Sequence, residues 1–169
     1  MHFMERFTIL FLILTLMTGC AGTTDLFAYA EGAAEFTLVF PSVSGDADAI
    51  VCACSRDDPG NFTLTVTDPA RLRGFTVEIR DGNAACGMAE TKIPLSHDAA
   101  EGLIRLLTTL TEEGSVKKSP DGTATIITTP TGEITLDDAM MPIEVKSGTV
   151  RAGVRGFGGV NREERIENR

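Results

Sequence analysis

Residues 61–80, which read NFTLTVTDPARLRGFTVEIR, decide the fold of this chain. Two runs within the stretch, residues 61–67 and 75–80, alternate strictly between apolar and polar side chains. Successive side chains of a β-strand point to opposite faces, so each run predicts a strand with one apolar and one polar face. The apolar set consists of Phe62, Leu64, Val66, Phe75, Val77 and Ile79. This alternation is typical of an antiparallel meander that packs one face against another element.

The same period-two pattern extends in both directions from this pair of strands. Two strands are predicted before it, at residues 36–40 and 49–55, and one after it, at residues 84–88. The turn-forming residues 56–61, RDDPGN, separate the second strand from the third. Four more strands are predicted beyond residue 120, with PDG, PTG and KSG at their turns: 124–128, 133–136, 143–146 and 150–154.

Between these two groups of strands the apolar period changes from two residues to that of a helix. The residues at helical spacing are Ala99, Ala100, Leu103, Ile104, Leu107 and Leu110. Ser96 is expected to cap the start of the helix, and Glu113-Gly114 to end it. A sheet with one apolar face must bury that face. We therefore expect an α+β fold, with a curved, half-barrel-like antiparallel sheet and one principal amphipathic helix packed on it.

The start of the chain carries a targeting signal. An apolar run of about eleven residues follows Arg6, which suits a secretory signal peptide and is shorter than the roughly 20 residues that span a bilayer. The ending LMTGC, which closes on Cys20, resembles the lipobox of bacterial lipoproteins. The resemblance implies cleavage of residues 1–19 and a diacylglyceryl group on Cys20, with acyl chains such as palmitate. An ordinary secretory signal and a short transmembrane anchor are the alternatives.

Cleavage before Cys20 leaves about 150 residues, the size of one ordinary domain. Residues 20–34 are predicted to form a lipid-anchored tether with a helical turn, residues 35–157 the folded domain, and residues 158–169 a flexible tail. The formal net charge of −9 argues against nucleic acid and against flat docking on anionic lipid. The lipid on Cys20 is therefore the expected attachment to the extracytoplasmic face of the cell membrane.

Three further cysteines, Cys52, Cys54 and Cys86, admit three interpretations. Cys52 and Cys54 share a strand face with Ile50, which favours packing in the core. A cross-strand disulfide from Cys54 or Cys52 to Cys86 is the second interpretation, since the compartment permits oxidation. Metal binding is the third, although the C-x-x-C spacing of zinc sites is absent and His97 is the one histidine after the signal. We expect no metal and no other cofactor.

The sequence offers no convincing set of catalytic residues. It contains no G-x-S-x-G nucleophile elbow and no phosphate-binding glycine loop. Ser96, His97 and Asp98 are consecutive, which favours a helix cap, because the members of a triad converge from separate segments. Asp46 and Asp48 lack the other oxygen ligands of a calcium loop and are assigned to a solvated turn. We therefore expect a protein that is not an enzyme.

The order of elements over residues 35–157 resembles the LolA/LppX-type lipoprotein carriers and their Gram-positive lipoprotein relatives. The segments that carry the resemblance are NFTLTVTDPARLRGFTVEIRDG, AACGMAETKIPL, SHDAAEGLIRLLTTL and TLDDAMMPIEVKSGTVRAGVRGF. This resemblance implies a half-open antiparallel β-barrel capped by helices, with an apolar cavity that accommodates acyl chains. It implies no shared catalytic residues.

A single helix on a curved sheet is expected to leave part of the concave face uncovered, which would form an apolar pocket. The expected walls are Phe62, Leu64, Val66, Phe75, Val77, Ile79, Leu103 and Leu107. The leading hypothesis is thus a membrane-anchored lipoprotein that binds an apolar or lipid-like ligand. The alternative is a non-catalytic envelope scaffold or protein-partner-binding module, with a closed core and binding through Thr-rich strand faces or the acidic surface.

Overall fold

The computed structural model describes residues 27–42 and 49–159. Over these ranges the chain forms one curved, open antiparallel sheet of 11 strands and a single α-helix. The strands are β1 (Ala34–Phe40), β2 (Ile50–Asp58), β3 (Asn61–Asp68), β4 (Phe75–Arg80), β5 (Asn83–Met88), β6 (Thr91–Pro94), β7 (Ser115–Lys118), β8 (Thr125–Thr128), β9 (Glu133–Leu136), β10 (Pro142–Ser147) and β11 (Val150–Gly159). The helix α1 is His97–Thr109, and short 3₁₀ turns lie at Ala28–Ala30 and Ala70–Leu72. The predicted signal peptide, Cys20, Asp46 and Asp48 lie outside the described residues.

The sheet has the strand order β6-β5-β4-β3-β2-β1-β11-β10-β9-β8-β7, so α1 connects its two edge strands. If the sheet were flat, ten spacings of about 4.8 Å would separate these edges by about 48 Å. A helix of 13 residues is only about 20 Å long. The curvature of the sheet brings the two halves close enough for α1 to contact β5 on one side and β10 and β11 on the other.

Local sequence explains how α1 begins and how closely it approaches the sheet. The Oγ of Ser96 accepts a hydrogen bond from the Ala99 amide at 3.3 Å, which confirms the predicted N-cap. At Gly102, a Cβ atom would lie 3.1 Å from Cγ2 of Val150, so the glycine allows the helix to lie close to β11. The helix ends at Thr109, earlier than the predicted Glu113-Gly114.

One part of the core lies between α1 and the half of the sheet formed by β8–β11. Leu106, Leu107 and Leu110 of the helical segment are fully buried, and so are Ile127, Ile134, Leu136, Val145 and Ala152 of the strands. This part of the concave face is closed. Burial of the apolar face is the main favourable term that holds α1 on the sheet.

The predicted class and nine of the predicted strands are confirmed, and the two missed strands are the edges. Every residue of β6 and of β7 is exposed, so neither strand shows the alternation that marks a half-buried strand. Two other strands run further than predicted. β2 continues to Asp58 through residues assigned to a turn, and β11 reaches Gly159, two residues into the predicted tail.

Part of the predicted tether is packed against the domain. Tyr29 and Ala30 are buried, and the 3₁₀ turn that contains them contacts β11. Ala34, the last residue of the predicted tether, is already the first residue of β1. From Phe27 onward, therefore, the segment belongs to the folded domain.

Candidate functional site

An apolar cavity of about 340 Å³ lies on the concave face, next to α1. It is located at the end of the sheet where β1 ends and β2 begins. Its walls are Phe40, Ile50, Cys52, Leu64, Val66, Leu72, Phe75, Val77 and Leu103. All nine side chains are apolar, and Ile50 is 37% exposed at the opening. The volume falls within the roughly 300–1,000 Å³ of small-molecule sites.

The alternation first noted in residues 61–80 builds the walls of this cavity. In the ladder, Cys52 pairs with Val66, and Leu64 pairs with Val77, so these side chains lie side by side on one face. Leu72 is added by the 3₁₀ turn between β3 and β4, and Leu103 is added by the helix. The cavity exists because the single helix leaves this part of the concave face partly uncovered.

The opposite end of the same strands is closed around a buried arginine. Arg56 is 1% exposed and follows Cys52 and Cys54 on the inward face of β2. Its Nη2 donates to the carbonyl oxygens of Tyr29 at 2.8 Å and Glu31 at 3.0 Å. These hydrogen bonds hold the segment before β1 against β2 of the sheet.

Two further carbonyl groups complete this arrangement. Nε of Arg56 donates to Gly32 O at 2.9 Å, and Nη1 donates to Leu110 O at 3.4 Å. The second acceptor lies at the end of α1, where the helix dipole is negative. Within residues 27–42 and 49–159, no carboxylate forms an ion pair with Arg56, and its four hydrogen bonds all go to backbone carbonyl groups. Burial lowers the pKa of Arg56 below its ordinary value.

Three aromatic rings pack around this arginine. The ring of Phe157 stacks on Phe36 with centroids 4.8 Å apart, and Tyr29 meets Phe157 edge-on at 6.3 Å. The guanidinium carbon of Arg56 lies 5.9 Å from the Phe157 centroid, within cation–π range. The Oη of Tyr29 is buried without a hydrogen-bond partner among the described residues, and burial raises the pKa of Tyr29 to about 12. We call Arg56 and these three rings the arginine plug.

The sequence interpretation missed the arginine plug because it assigned residues 56–61 to a turn. One signal was present: Arg56 continues the period-two row of Cys52 and Cys54 on the inward face of β2. Burial of a cation on an apolar face is unfavourable unless the fold supplies hydrogen-bond acceptors for it. Those acceptors come from residues 29–32 and from the end of α1, which are distant in sequence.

The structure divides the predicted pocket walls into two groups. Five of the eight predicted residues line the cavity: Leu64, Val66, Phe75, Val77 and Leu103. The other three, Phe62, Ile79 and Leu107, are at most 2% exposed and belong to the closed core. Phe40, Ile50, Cys52 and Leu72 line the cavity and were not in the predicted set. Binding of a ligand by these walls stays a prediction.

The three described cysteines are free thiols. Cys54 and Cys86 lie in one cross-strand row, with Leu64 and Val77 between them. Three strand spacings of about 4.8 Å separate the two cysteines by about 14 Å, twice the roughly 7 Å limit for a disulfide. The alternative of a disulfide with Cys86 is therefore wrong, and the preferred core packing of Cys52 and Cys54 is confirmed.

The ionisation of two of these thiols reflects their burial. Burial raises the pKa of Cys52, which lines the cavity. Burial, with a smaller contribution from the neighbouring Cys52, raises the pKa of Cys54 to about 12. Both thiols are therefore protonated near neutral pH and are poor nucleophiles.

The described part of the chain offers no metal centre: it contains no group of three or more His, Cys, Asp or Glu side chains that would hold an ion. His97 is the first residue of α1, next to the capping Ser96, as the sequence analysis expected. Across residues 27–42 and 49–159, no helix has both the length and the apolar character needed to span a membrane.

A second concavity, a groove of about 420 Å³, lies on the outer face of the sheet over β1, β2 and β3. The outward side chains that line it are Glu35, Thr37, Ala53, Ser55, Thr63 and Thr65. The pairing of β1 with β11 shifts register between Glu35 and Thr37, and Gly156 of β11 adjoins the groove. Small polar side chains, rather than apolar walls, characterise this surface.

Comparisons with known proteins show a likeness of fold to solved structures. No protein-family model matches the sequence, and no curated protein is significantly similar to it. Among solved structures, the fold is similar to that of the LolA superfamily protein NE2245 from Nitrosomonas europaea. The two chains are 8% identical, the match covers 85% of this chain and 96% of that chain, and the TM-score is 0.45.

Proposed function

We propose that this protein is a membrane-anchored extracytoplasmic lipoprotein that binds an apolar, lipid-like ligand in the concave cavity. The observation that carries the proposal is the lining of nine apolar side chains around about 340 Å³. The side chains of this cavity do not form hydrogen bonds with a polar ligand. Binding of an apolar ligand removes apolar surface from water, which stabilises the complex by roughly 25 cal/mol per Å².

The anchor in this proposal is the lipid on Cys20. The seven residue-to-residue steps from Cys20 to Phe27 span at most about 25 Å when the chain is fully extended. The chain then enters the domain at the arginine plug, at the start of β1. The cavity opens at the other end of β1. The two ends of this strand of seven residues are about 20 Å apart. The opening therefore lies at the end of the domain opposite to the attached end. In this orientation a ligand enters and leaves on the side away from the tether.

Titration with a fluorescent apolar probe, N-phenyl-1-naphthylamine, tests the proposal. The variant Leu103→Glu places a carboxylate in the cavity wall. The control variant Ile104→Glu places a carboxylate at the next helix residue, which lies near Gly82 and Leu95 and does not line the cavity. We expect wild type and Ile104→Glu to bind the probe and Leu103→Glu to bind at least about tenfold more weakly, because burying an unpaired charge is unfavourable. Equal binding by both variants, or none by wild type, would contradict the proposal.

The second candidate is a protein-partner-binding module that uses the groove on the outer face. The observation in its favour is the row of Thr and Ser side chains over β1, β2 and β3. Crosslinking in membranes separates the two candidates. A crosslinked partner that is lost with Thr63→Lys and retained with Leu103→Glu supports the module.

A further inference from the structure

The cavity has a floor, and this floor limits what can fill it. Moving inward from Leu64 and Val77, the next side chains on the same face of β3 and β4 are Phe62 and Ile79. Both are at most 2% exposed, so the concave face is closed beyond this row. Arg56 pairs with Phe62 in the same row and is held by four carbonyl groups.

The walls exclude a polar group from the interior of the cavity. None of the nine lining side chains carries a hydroxyl, amide or charge, and the thiol of Cys52 is only a weak hydrogen-bond donor. A phosphate, sugar or carboxylate inside would lose its hydration without compensation. A ligand must therefore keep its polar end at the opening, beside Ile50.

The volume of the cavity bounds the size of the apolar part that lies inside it. A methylene group occupies about the same space as a water molecule, roughly 30 Å³ in the liquid. A cavity of about 340 Å³ therefore accommodates roughly eleven methylene groups. That is the size of one medium-length alkyl chain, and it is too small for two chains of a membrane phospholipid.

From this floor, these walls and this volume, we infer that the cavity is a length-selective site for the single alkyl chain of a one-tailed amphiphile, whose polar head stays at the opening. The inference rests on the proposed function and narrows it to one ligand class. Carriage of two-chain or three-chain lipids is not compatible with it. The floor formed by Phe62 and Ile79 acts as the end stop.

A series of linear fatty acids from about eight to about eighteen carbons tests the inference by displacement of the same fluorescent probe. We expect affinity to rise about fourfold for each added methylene until roughly twelve carbons, and then to stop rising. A diacyl phosphatidylglycerol should displace the probe no better than its one-chain lyso form. Affinity that still climbs at sixteen carbons, or stronger binding of the diacyl lipid, would overturn the inference.

Two substitutions should move the end stop in opposite directions. Ile79→Ala removes three carbons from the floor and should shift the plateau to chains about two to three carbons longer. Val77→Phe narrows the cavity and should shift the plateau to shorter chains. The matched control for the first is Ile134→Ala, an equally buried isoleucine on β9. The control for the second is Val116→Phe on the exposed edge strand β7.

The outcomes of these experiments distinguish a failure of the single-chain inference from a failure of the proposed function. Ile79→Val and Ile134→Val replace the alanine variants if those fail to fold, and the expected shift is then about one carbon. If the probe does not bind to wild type, the proposed function fails. If the probe binds but the plateau is absent or does not move with residue 79, only the single-chain inference fails.

Discussion

The guanidinium of Arg56 donates a hydrogen bond to the backbone carbonyl of Tyr29 at 2.8 Å. This bond links the segment before β1 to β2, in the middle of the sheet. Three more carbonyl oxygens accept from the same side chain, and one of them belongs to Leu110 at the end of α1. One residue therefore joins the segment before β1, the sheet and the helix. The plug closes one end of the concave face, and the cavity occupies the other.

The first prediction concerns the stability that Arg56 provides. Arg56→Met should lower the free energy of unfolding by about 3 kcal/mol or more, because several buried carbonyls lose their donor. Arg151→Met, which breaks an exposed ion pair with Glu144, should change it by less than about 1 kcal/mol. Urea denaturation measures both values, and similar losses in the two variants would contradict the structural role of the plug.

The second prediction concerns alkaline stability. The pKa of Tyr29 is raised from 10.0 to about 12, so the folded state favours the neutral phenol. The contribution of Tyr29 to the free energy of unfolding is fully present below pH 10 and is lost as the pH rises towards about 12. Tyr29→Phe should make the decline in unfolding free energy over this interval shallower, as measured by denaturation at several pH values.

Thr128→Val is the control for this experiment. Thr128 Oγ1 is the other buried hydroxyl without a hydrogen-bond partner in the described part of the chain, and it does not titrate. Both variants should keep or gain stability at neutral pH, because neither removes a hydrogen bond to a described residue. Only Tyr29→Phe should change the alkaline slope, and an identical slope in both would show that Tyr29 is not the group responsible.

The third prediction concerns thiol reactivity. In the native protein near neutral pH, the half-buried Cys86 should react first with methyl methanethiosulfonate, Cys52 more slowly, and Cys54 last, because burial raises the pKa of Cys52 and Cys54. Peptide mass spectrometry gives the order. A fatty acid that occupies the cavity should slow the reaction of Cys52 and leave Cys86 unchanged. Equal protection of both thiols would argue against occupancy of the cavity.

The fourth prediction concerns the proposed anchor. Cys20→Ala should move the protein from the membrane fraction to the soluble fraction and abolish incorporation of labelled palmitate. Cys86→Ala, which removes a different thiol, should leave both readouts as in wild type. Labelled palmitate that persists in Cys20→Ala would place the lipid on another residue.

The sequence specified the meander well because half-buried strands leave a direct pattern. Phe62, Leu64 and Val66 alternate with threonines, and the structure has them on one face of β3 as predicted. The edge strands β6 and β7 leave no such pattern, since both of their faces are exposed. Curvature, strand order and the position of α1 depend on contacts between distant segments, which periodicity does not encode.

The candidate site was only partly predictable for the same reason. Periodicity identifies which side chains point inward, but it does not say which of them the helix covers. Ile79 and Val77 are equivalent in the sequence pattern, yet Ile79 lies in the closed core and Val77 lines the cavity. Leu72 lies in a 3₁₀ turn and carries no periodic signal. The acceptors of Arg56 come from segments 24 to 54 residues away in sequence.

Binding of one alkyl chain in the cavity is tested most directly by a crystal structure of the protein with a fatty acid of about twelve carbons that carries bromine at its terminal carbon. We expect one anomalous bromine peak per chain, deep in the cavity between Val77 and Leu103 and close to the proposed end stop at Ile79. A bromine peak in the groove of the outer face, or a cavity without the fatty acid at saturating concentration, would contradict it.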